Sequence, residues 1–224
     1  MTNSYFRQVP NFEYVNRNAP AYDISNFIAV KNLFKRGRLR PDILQDLTYF
    51  EKYVIVGDDR PDIVSDKYYD DPTLDWVVLL SNNITNIQSE WPLPQTSLDE
   101  ILLDKYGTYD TLYSGIHHYE TKEIKDSNGV VVVPQGLEVA SDYSITYWDT
   151  TVNGYVAQTD VPTPVTNYEY ESDIENRKRN IRILKPIYLN IVRDDMKELM
   201  TYKKGGTQYV STTLKKGENI KLYQ

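Results

Sequence analysis

Cysteine is absent from this chain of 224 residues, and histidine occurs only twice. Without cysteine the chain has no disulfides, thiolate nucleophiles or Cys-ligated zinc, and two histidines offer little imidazole for catalysis or metal binding. The sequence also lacks an apolar run of about eighteen residues, and its first residues lack the apolar segment of a secretory signal. We therefore expect a chain that is made in a cytoplasm and is neither inserted into a membrane nor exported.

The charge balance is acidic, with a formal net charge of −7 at pH 7. This disfavours broad binding to nucleic acid or to anionic membranes, because both require a positive surface. Tyrosine is the outlier in the composition, with 20 residues against 5 phenylalanines and 3 tryptophans. Tyrosine is enriched at protein interfaces and is also an amphipathic filler of cores and strands, so both uses remain open.

Residues 1–48 combine a stretch of little periodicity with an apolar pattern near its end. Apolar residues recur at helical spacing within residues 24–34, which predicts an extended arm followed by a short helix that stops near Gly37. Residues 35–40 are the most basic run of the chain. No aromatic residues interleave with its charges, so the run indicates a solvated helix end or an acidic protein partner rather than a nucleic-acid site.

A strand is predicted at residues 49–56, and two helices are predicted after it. Asp58 or Asp59 can cap the first helix, and Pro61 suits its first turn. The second helix, at residues 73–82, is apolar nearly all round, which is typical of a helix buried on most sides. We therefore assign three of its residues to the core: Trp76, Val77 and Leu80.

The rest of the chain is predicted to be mixed. A helix stops at Gly107, and two β-hairpins are expected because Asn-Gly, a strong hairpin signal, occurs at residues 128–129 and 153–154. The prolines of residues 160–166 indicate a linker. A short strand at residues 181–184 precedes a C-terminal helix, and the last twenty residues are interpreted as a mobile or partner-ordered tail.

Three kinds of cluster were considered for chemistry. His117 and His118 are neighbours in a strand, so they are expected to point to opposite faces and not to share a metal ion. Residues 205–207 lack the Lys and Ser/Thr of a phosphate-binding loop. Helix capping explains the adjacent acidic pairs better than glycoside hydrolysis does; these pairs are Asp58-Asp59, Asp70-Asp71 and Asp194-Asp195. We therefore predict no catalytic residue, no cofactor and no metal.

The segment from residue 53 to residue 82 resembles a LysM module, with a strand, Gly-Asp, a helix ending near Tyr68 and a second helix ending in Leu-x-x-Asn. The chain is also similar, from about residue 5 to residue 200, to the LysM-like baseplate wedge subunit of contractile-tailed (T-even-type) bacteriophages. The stretches that carry this resemblance are VKNLFKR at 30–36, GDDRPD at 57–62, LDWVVLLSNN at 74–83 and EWP at 90–92.

The resemblance implies a non-enzymatic structural protein of the inner baseplate, which binds the wedge core and helps neighbouring wedges to join into a sixfold ring. The implied partners are other baseplate wedge proteins, with hub or sheath-proximal proteins as further candidates, and neither nucleic acid nor membrane. The chain would be present in multiple copies in the sixfold assembly rather than as a free homo-oligomer. Its implied location is the tail baseplate of the virion, after synthesis in the cytoplasm of the bacterial host.

The expected fold class is α+β, with a small LysM-like strand-helix-helix unit. The expected divisions are an N-terminal arm and helix at 1–48, the LysM-like unit at 49–95, a helix plus β-hairpin-rich insert at 96–170, a strand and C-terminal helix at 171–204, and a tail at 205–224.

Two features depart from glycan-binding LysM modules. Asp59-Arg60-Pro61 replaces the usual Thr-Leu after Gly-Asp, and irregular residues 91–94 replace the second strand. We therefore favour a LysM groove reused for protein contact, with a peptidoglycan-binding module as the alternative. The predicted partner-binding residues, of which Tyr68 and Trp91 can also be core residues, are Arg60, Asp62, Tyr68, Tyr69 and Trp91.

Overall fold

The computed structural model describes residues 4–16, 18, 26–205 and 208–216. The chain divides into two compact units: unit 1 is formed by Met1–Trp91 and Arg179–Gln224, and unit 2 by Pro92–Lys178. Unit 2 is therefore inserted into the sequence of unit 1. The mixture of helices and strands confirms the α+β class. Among the described helices, none is long and apolar enough to cross a membrane.

The helices and strands have the following bounds. The helices are α1 (Tyr5–Gln8), α2 (Pro41–Gln45), α3 (Pro61–Tyr69), α4 (Asp75–Ser81), α5 (Ile87–Glu90), α6 (Gln95–Tyr106), α7 (Tyr109–Ser114), α8 (Asn167–Arg179) and α9 (Leu189–Met200). The strands are β1 (Asn11–Val15), β2 (Phe27–Lys31), β3 (Phe50–Val54), β4 (Ile116–Thr121), β5 (Ile124–Lys125), β6 (Val131–Val133), β7 (Glu138–Val139), β8 (Ile145–Asp149), β9 (Gly154–Gln158), β10 (Pro162–Thr166), β11 (Asn180–Leu184), β12 (Tyr209–Ser211) and β13 (Leu214–Lys216).

Unit 1 is built around the order β3, α3, α4 and β11. Strands β3 and β11 are antiparallel, with Phe50 opposite Leu184, although the whole of unit 2 separates them in the sequence. Asn82, directly after α4, ties that helix to β11: its side-chain amide donates to the Arg182 carbonyl at 2.8 Å, and its side-chain oxygen accepts from the Arg182 N–H at 2.8 Å. The strand that pairs with β3 is therefore β11 and not the irregular residues 91–94.

Helix α4 is buried on two sides, as its apolar sequence predicts. Trp76 and Val77 belong to one core cluster with Phe50 and Leu184, and Val78 belongs to a second. The second cluster contains Ile55, Val64, Val78, Trp91, Ile181 and Ile183. The assignment of Trp76 and Val77 to the core is confirmed, and Leu80 packs half-buried against the first cluster.

The helix predicted within residues 24–34 is wrong, because the described part of this segment forms strand β2 (Phe27–Lys31) followed by a turn. Its aromatic and β-branched residues suit a strand, and β2 pairs antiparallel with β1 from Lys31 opposite Asn11 to Phe27 opposite Val15. Gly37 does not end a helix either. It is buried beside Met196, and its N–H donates to the Tyr5 hydroxyl at 2.9 Å.

Strands near the two ends of the described chain meet in one sheet, with strand order β12-β13-β1-β2 and β1 parallel to β13. The N-terminal segment is therefore not an extended arm where it is described, since Val9 is buried and β1 is paired on both sides. The predicted tail contributes β12 and β13. The rest of the predicted tail, at residues 206–207 and 217–224, lies outside the described residues, as do residues 1–3, 17 and 19–25 of the predicted arm and helix.

Unit 2 contains the sheet β10-β4-β7 and the two-stranded sheets β5-β6 and β8-β9. The hairpins predicted from Asn-Gly are confirmed, since residues 128–129 join β5 to β6 and residues 153–154 join β8 to β9. In each turn only one of the two residues has positive φ, Gly129 at 80° and Asn153 at 50°. Helix α6 ends as predicted before Gly107, which has φ of 79°.

One prediction in unit 2 is wrong, and one helix was not predicted. Residues 162–166, expected to be linker, form β10, which pairs with β4. This is an edge strand of its sheet, where the missing N–H of a proline costs no ladder hydrogen bond. Helix α8 was not predicted because it has no apolar stripe. A capping box marks its start: the Thr166 N–H donates to the Glu169 carboxylate at 2.8 Å, and the Glu169 N–H donates to the Thr166 hydroxyl at 3.2 Å.

The points where the chain leaves and re-enters unit 1 both contact the turn after β3. The Trp91 indole N–H donates to the Asp59 carbonyl at 3.0 Å, and the Arg179 guanidinium donates to the Gly57 carbonyl at 2.6 Å. Because both ends are anchored at one turn, we expect unit 1 to fold when residues 92–178 are replaced by a short glycine-serine linker. Thermal unfolding followed by circular dichroism checks this, and loss of a cooperative transition would contradict it.

Candidate partner-binding surface

Two of the predicted contact residues lie at the start of α3. Arg60 precedes the helix and donates to both carboxylate oxygens of Asp62, at 3.0 and 2.5 Å, and both side chains are exposed. The hydrogen bond from Arg60 lowers the pKa of Asp62. The predicted cap at Asp58 or Asp59 is wrong, because Arg60 occupies the cap position without a side-chain cap bond. Asp59 instead accepts from Lys67 at 2.5 Å.

Two tyrosines lie at the other end of α3, about 9 Å further along the helix axis. Both are half-buried. The Tyr68 hydroxyl donates to the Glu51 carboxylate at 2.7 Å, and the Tyr69 hydroxyl donates to the Leu184 carbonyl at 2.8 Å. Their rings pack edge-to-face at 5.0 Å between centroids. The two tyrosines therefore fasten α3 to β3 and β11, and only part of the surface of each is exposed to solvent.

Trp91 is in the core of unit 1. It is 5% exposed and belongs to the second core cluster, and its indole N–H is bonded to the Asp59 carbonyl. A side chain so enclosed cannot contact a partner without local opening. Of its two interpretations, contact residue or core residue, the structure therefore supports the core residue. We do not retain Trp91 as a candidate contact residue.

The environment of Tyr69 leads to a prediction about alkaline pH. Burial raises its pKa far above the ordinary value of 10.0. A folded-state pKa above the unfolded one gives stability that is fully present below pH 10 and is lost as the pH rises further, at about 1.4 kcal/mol per pH unit. We expect Tyr69→Phe to cost about 1 kcal/mol at pH 8 and to lose less stability than the native chain between pH 8 and pH 11.

Urea unfolding at both pH values checks this prediction. Tyr53→Phe is the matched control, because Tyr53 is a half-buried tyrosine of the same core cluster. An equal alkaline loss in the native chain and in Tyr69→Phe would contradict the prediction.

Two highly exposed apolar side chains of unit 1 lie on a turn that was not predicted to be a contact surface. Leu33 is 71% exposed and Phe34 is 93% exposed, directly after β2. The turn is fixed by hydrogen bonds: the Phe34 N–H donates to the Asn32 side chain at 3.2 Å, and the Lys35 N–H donates to the Asn32 carbonyl at 3.1 Å. Adjacent exposed apolar side chains on a fixed turn are typical of a protein contact.

A groove of about 450 Å³ lies in unit 1 beside α1 and α4. Its lining includes Tyr5, Phe6, Trp76, Leu79, Leu80 and Ile87. Phe6 and Ile87 are both exposed, and polar side chains, among them Arg36 and Asp75, also line the groove. No periodic pattern marks this site, because its walls come from α1, α4 and α5, which are separate in the sequence.

The histidines of unit 2 come closer together than expected. The Nδ1 atoms of His117 and His118 lie 3.0 Å apart, because the His117 ring stacks on Tyr170 and the His118 ring turns toward Glu120. Within the described residues, no group of three or more His, Asp or Glu side chains could hold a metal ion.

Asp71 accepts from the Thr73 N–H, which supports the capping role predicted for the pair at residues 70–71.

These features define an α+β protein whose distinctive surfaces are apolar turns and grooves suited to protein contact. The class is that of a phage tail baseplate component: a family model described as base plate wedge protein 53 matches residues 1–202. The chain belongs to the base plate wedge protein 53 family. It is therefore a structural protein of the virion tail that assembles with other baseplate proteins. No curated protein matches the chain.

Proposed function

We propose that the chain binds the core of the baseplate wedge and joins neighbouring wedges into a sixfold ring. The observation that carries this proposal is the exposed Leu33–Phe34 turn, because two large apolar side chains held in solvent by a bonded turn gain free energy when a partner covers them. A protein that joins wedges needs a second contact surface, and the apolar groove beside Phe6 supplies one within unit 1.

We also propose that β3, α3, α4 and β11 form a LysM-like unit with unit 2 inserted before its second strand. The antiparallel pairing of β3 with β11 supports this order. Asn82, the last residue of the Leu-x-x-Asn motif, supports it further through its two hydrogen bonds to Arg182. The unit then acts as a scaffold for protein contacts, and Arg60 and Asp62 are its exposed contact candidates.

Binding to single wedges tests the proposed function. Wedges assembled without this chain are mixed with the purified chain and separated on a density gradient. We expect the chain to migrate with the wedges at low micromolar concentration or below, as specific interfaces do. A chain that stays at the top of the gradient contradicts wedge binding. Retention on purified cell-wall sacculi would favour the alternative, a peptidoglycan-binding module. The proposed role involves no catalysis and no cofactor.

A further inference from the structure

A cleft of about 490 Å³ in unit 1 concentrates positive charge, although the chain as a whole is acidic. Its lining comes from the loop before α2, from α9 and the residues after it, and from β13. The cationic side chains of the lining are Lys35, Arg38, Arg40, Lys203 and Lys215. The fold therefore brings Lys203 and Lys215, which are distant in the sequence, next to the basic run of residues 35–40.

The carboxylates of the cleft do not balance this charge. Asp195 lies 3.5 Å from the Arg40 guanidinium, and Glu198 lies 3.5 Å from the Lys203 ammonium. For the other cations, Lys35, Arg38 and Lys215, no carboxylate of the described residues lies within ion-pair distance. The cleft thus has a surplus of positive charge.

Backbone carbonyls at the end of α9 and the ring of Tyr202 stabilise the cationic side chains of the cleft. The Lys35 ammonium donates to the carbonyls of Leu199 and Thr201, at 2.7 and 3.1 Å, at the negative end of α9. Lys35 and Lys215 also lie 4.9 and 5.0 Å from the ring centroid of the buried Tyr202. Burial and the nearby charges of Lys215 and Lys203 lower the pKa of Lys35. Like charges held together in this way favour an incoming anion.

We propose that this cleft is the docking site for an acidic segment of another baseplate protein, whose carboxylates pair with Lys35, Arg38 and Lys215. A peptide fits better than nucleic acid, because Tyr202 is buried and offers no free face for a base to stack on. The inference rests on the proposed function only in naming a baseplate protein as the source of the segment.

The test uses the full chain and a fluorescein-labelled hexaglutamate peptide in a fluorescence anisotropy titration. The test variant is Arg38→Gln with Lys215→Gln. The matched control is Lys52→Gln with Lys197→Gln, which removes the same charge from exposed lysines outside the cleft. We expect the native chain to bind the peptide less tightly as salt rises, the test variant to bind about tenfold more weakly, and the control to change by less than about twofold.

Three outcomes would overturn the proposal. Equal losses in the two double variants would show that only net charge matters. Equal binding of a labelled hexaglutamine peptide would show that carboxylates are not recognised. Tighter binding of an oligothymidine of about 15 nucleotides than of hexaglutamate would assign the cleft to nucleic acid instead. No wedge is present in this assay, so its failure is distinct from failure of the wedge-binding experiment.

Discussion

Replacing Ile183 by alanine is expected to lower the free energy of unfolding of unit 1 by about 2–5 kcal/mol. Ile183 is 0% exposed and lies in β11, where it packs in the second core cluster with Val64 and Val78. The truncation leaves a cavity between the sheet and both helices. The effect on α3 and α4 should be large although Ile183 is distant from them in the sequence, because Ile183 packs in one core cluster with Val64 of α3 and Val78 of α4.

Urea unfolding followed by tryptophan fluorescence measures this effect, because Trp76 and Trp91 are both buried in unit 1. Ile187→Ala is the matched control, since Ile187 is 74% exposed and the same atoms are removed. We expect the control to change the free energy of unfolding by less than about 0.5 kcal/mol. Equal effects of the two variants would contradict the assignment of β11 to the core of unit 1.

Replacing Leu33 and Phe34 together by aspartate is expected to weaken binding of the chain to wedges at least thirtyfold, from a loss of about 2 kcal/mol or more. The two side chains are adjacent on one turn and are 71% and 93% exposed. Aspartate removes this apolar area and adds charge that a partner must desolvate. The fold should be unaffected, because both side chains project into solvent.

The control for this variant carries aspartate at two other exposed apolar positions, Leu47 and Ile187, which are 67% and 74% exposed. Both double variants add the same charge. A difference between their affinities for wedges therefore reports the contribution of the Leu33–Phe34 turn. Density-gradient binding gives the affinities, and circular dichroism confirms that each variant is folded. Wild-type affinity of the Leu33→Asp, Phe34→Asp variant would contradict the role assigned to the turn.

The sequence predicted those elements whose signals are local. Pro61 begins α3, Gly107 ends α6, and Asn-Gly marks both hairpins of unit 2. Each of these residues acts through its own backbone conformation, so no distant contact is needed to recognise it. The burial of α4 was predicted for a related reason, because a helix that is apolar all round has few alternatives to burial.

Elements that depend on distant partners were missed or misread. The apolar residues of β2 match a helical spacing over a short run, but pairing with β1 determines the strand. The partner of β3 could not be predicted, because β11 returns only after the whole of unit 2. Helix α8 was missed although Thr166 and Glu169 form a recognisable capping box.

The candidate surface was predicted only in part. Arg60 and Asp62 are exposed as a pair, whereas Trp91 is enclosed by residues that come from β3, α3, α4 and β11. The aromatic residues that were expected to contact partners instead fasten the helices of unit 1. The Leu33–Phe34 turn and the cationic cleft were missed, because each is defined by exposure or by the meeting of distant segments.

Sedimentation velocity of wedges that lack this chain, before and after addition of the purified chain, tests the proposed function most directly. The account predicts a shift from single wedges to a species of the size of a complete ring, with the added chain in that species. Addition of the Leu33→Asp, Phe34→Asp variant should leave single wedges. Wedges that remain single in the presence of the native chain would contradict the claim that it joins them.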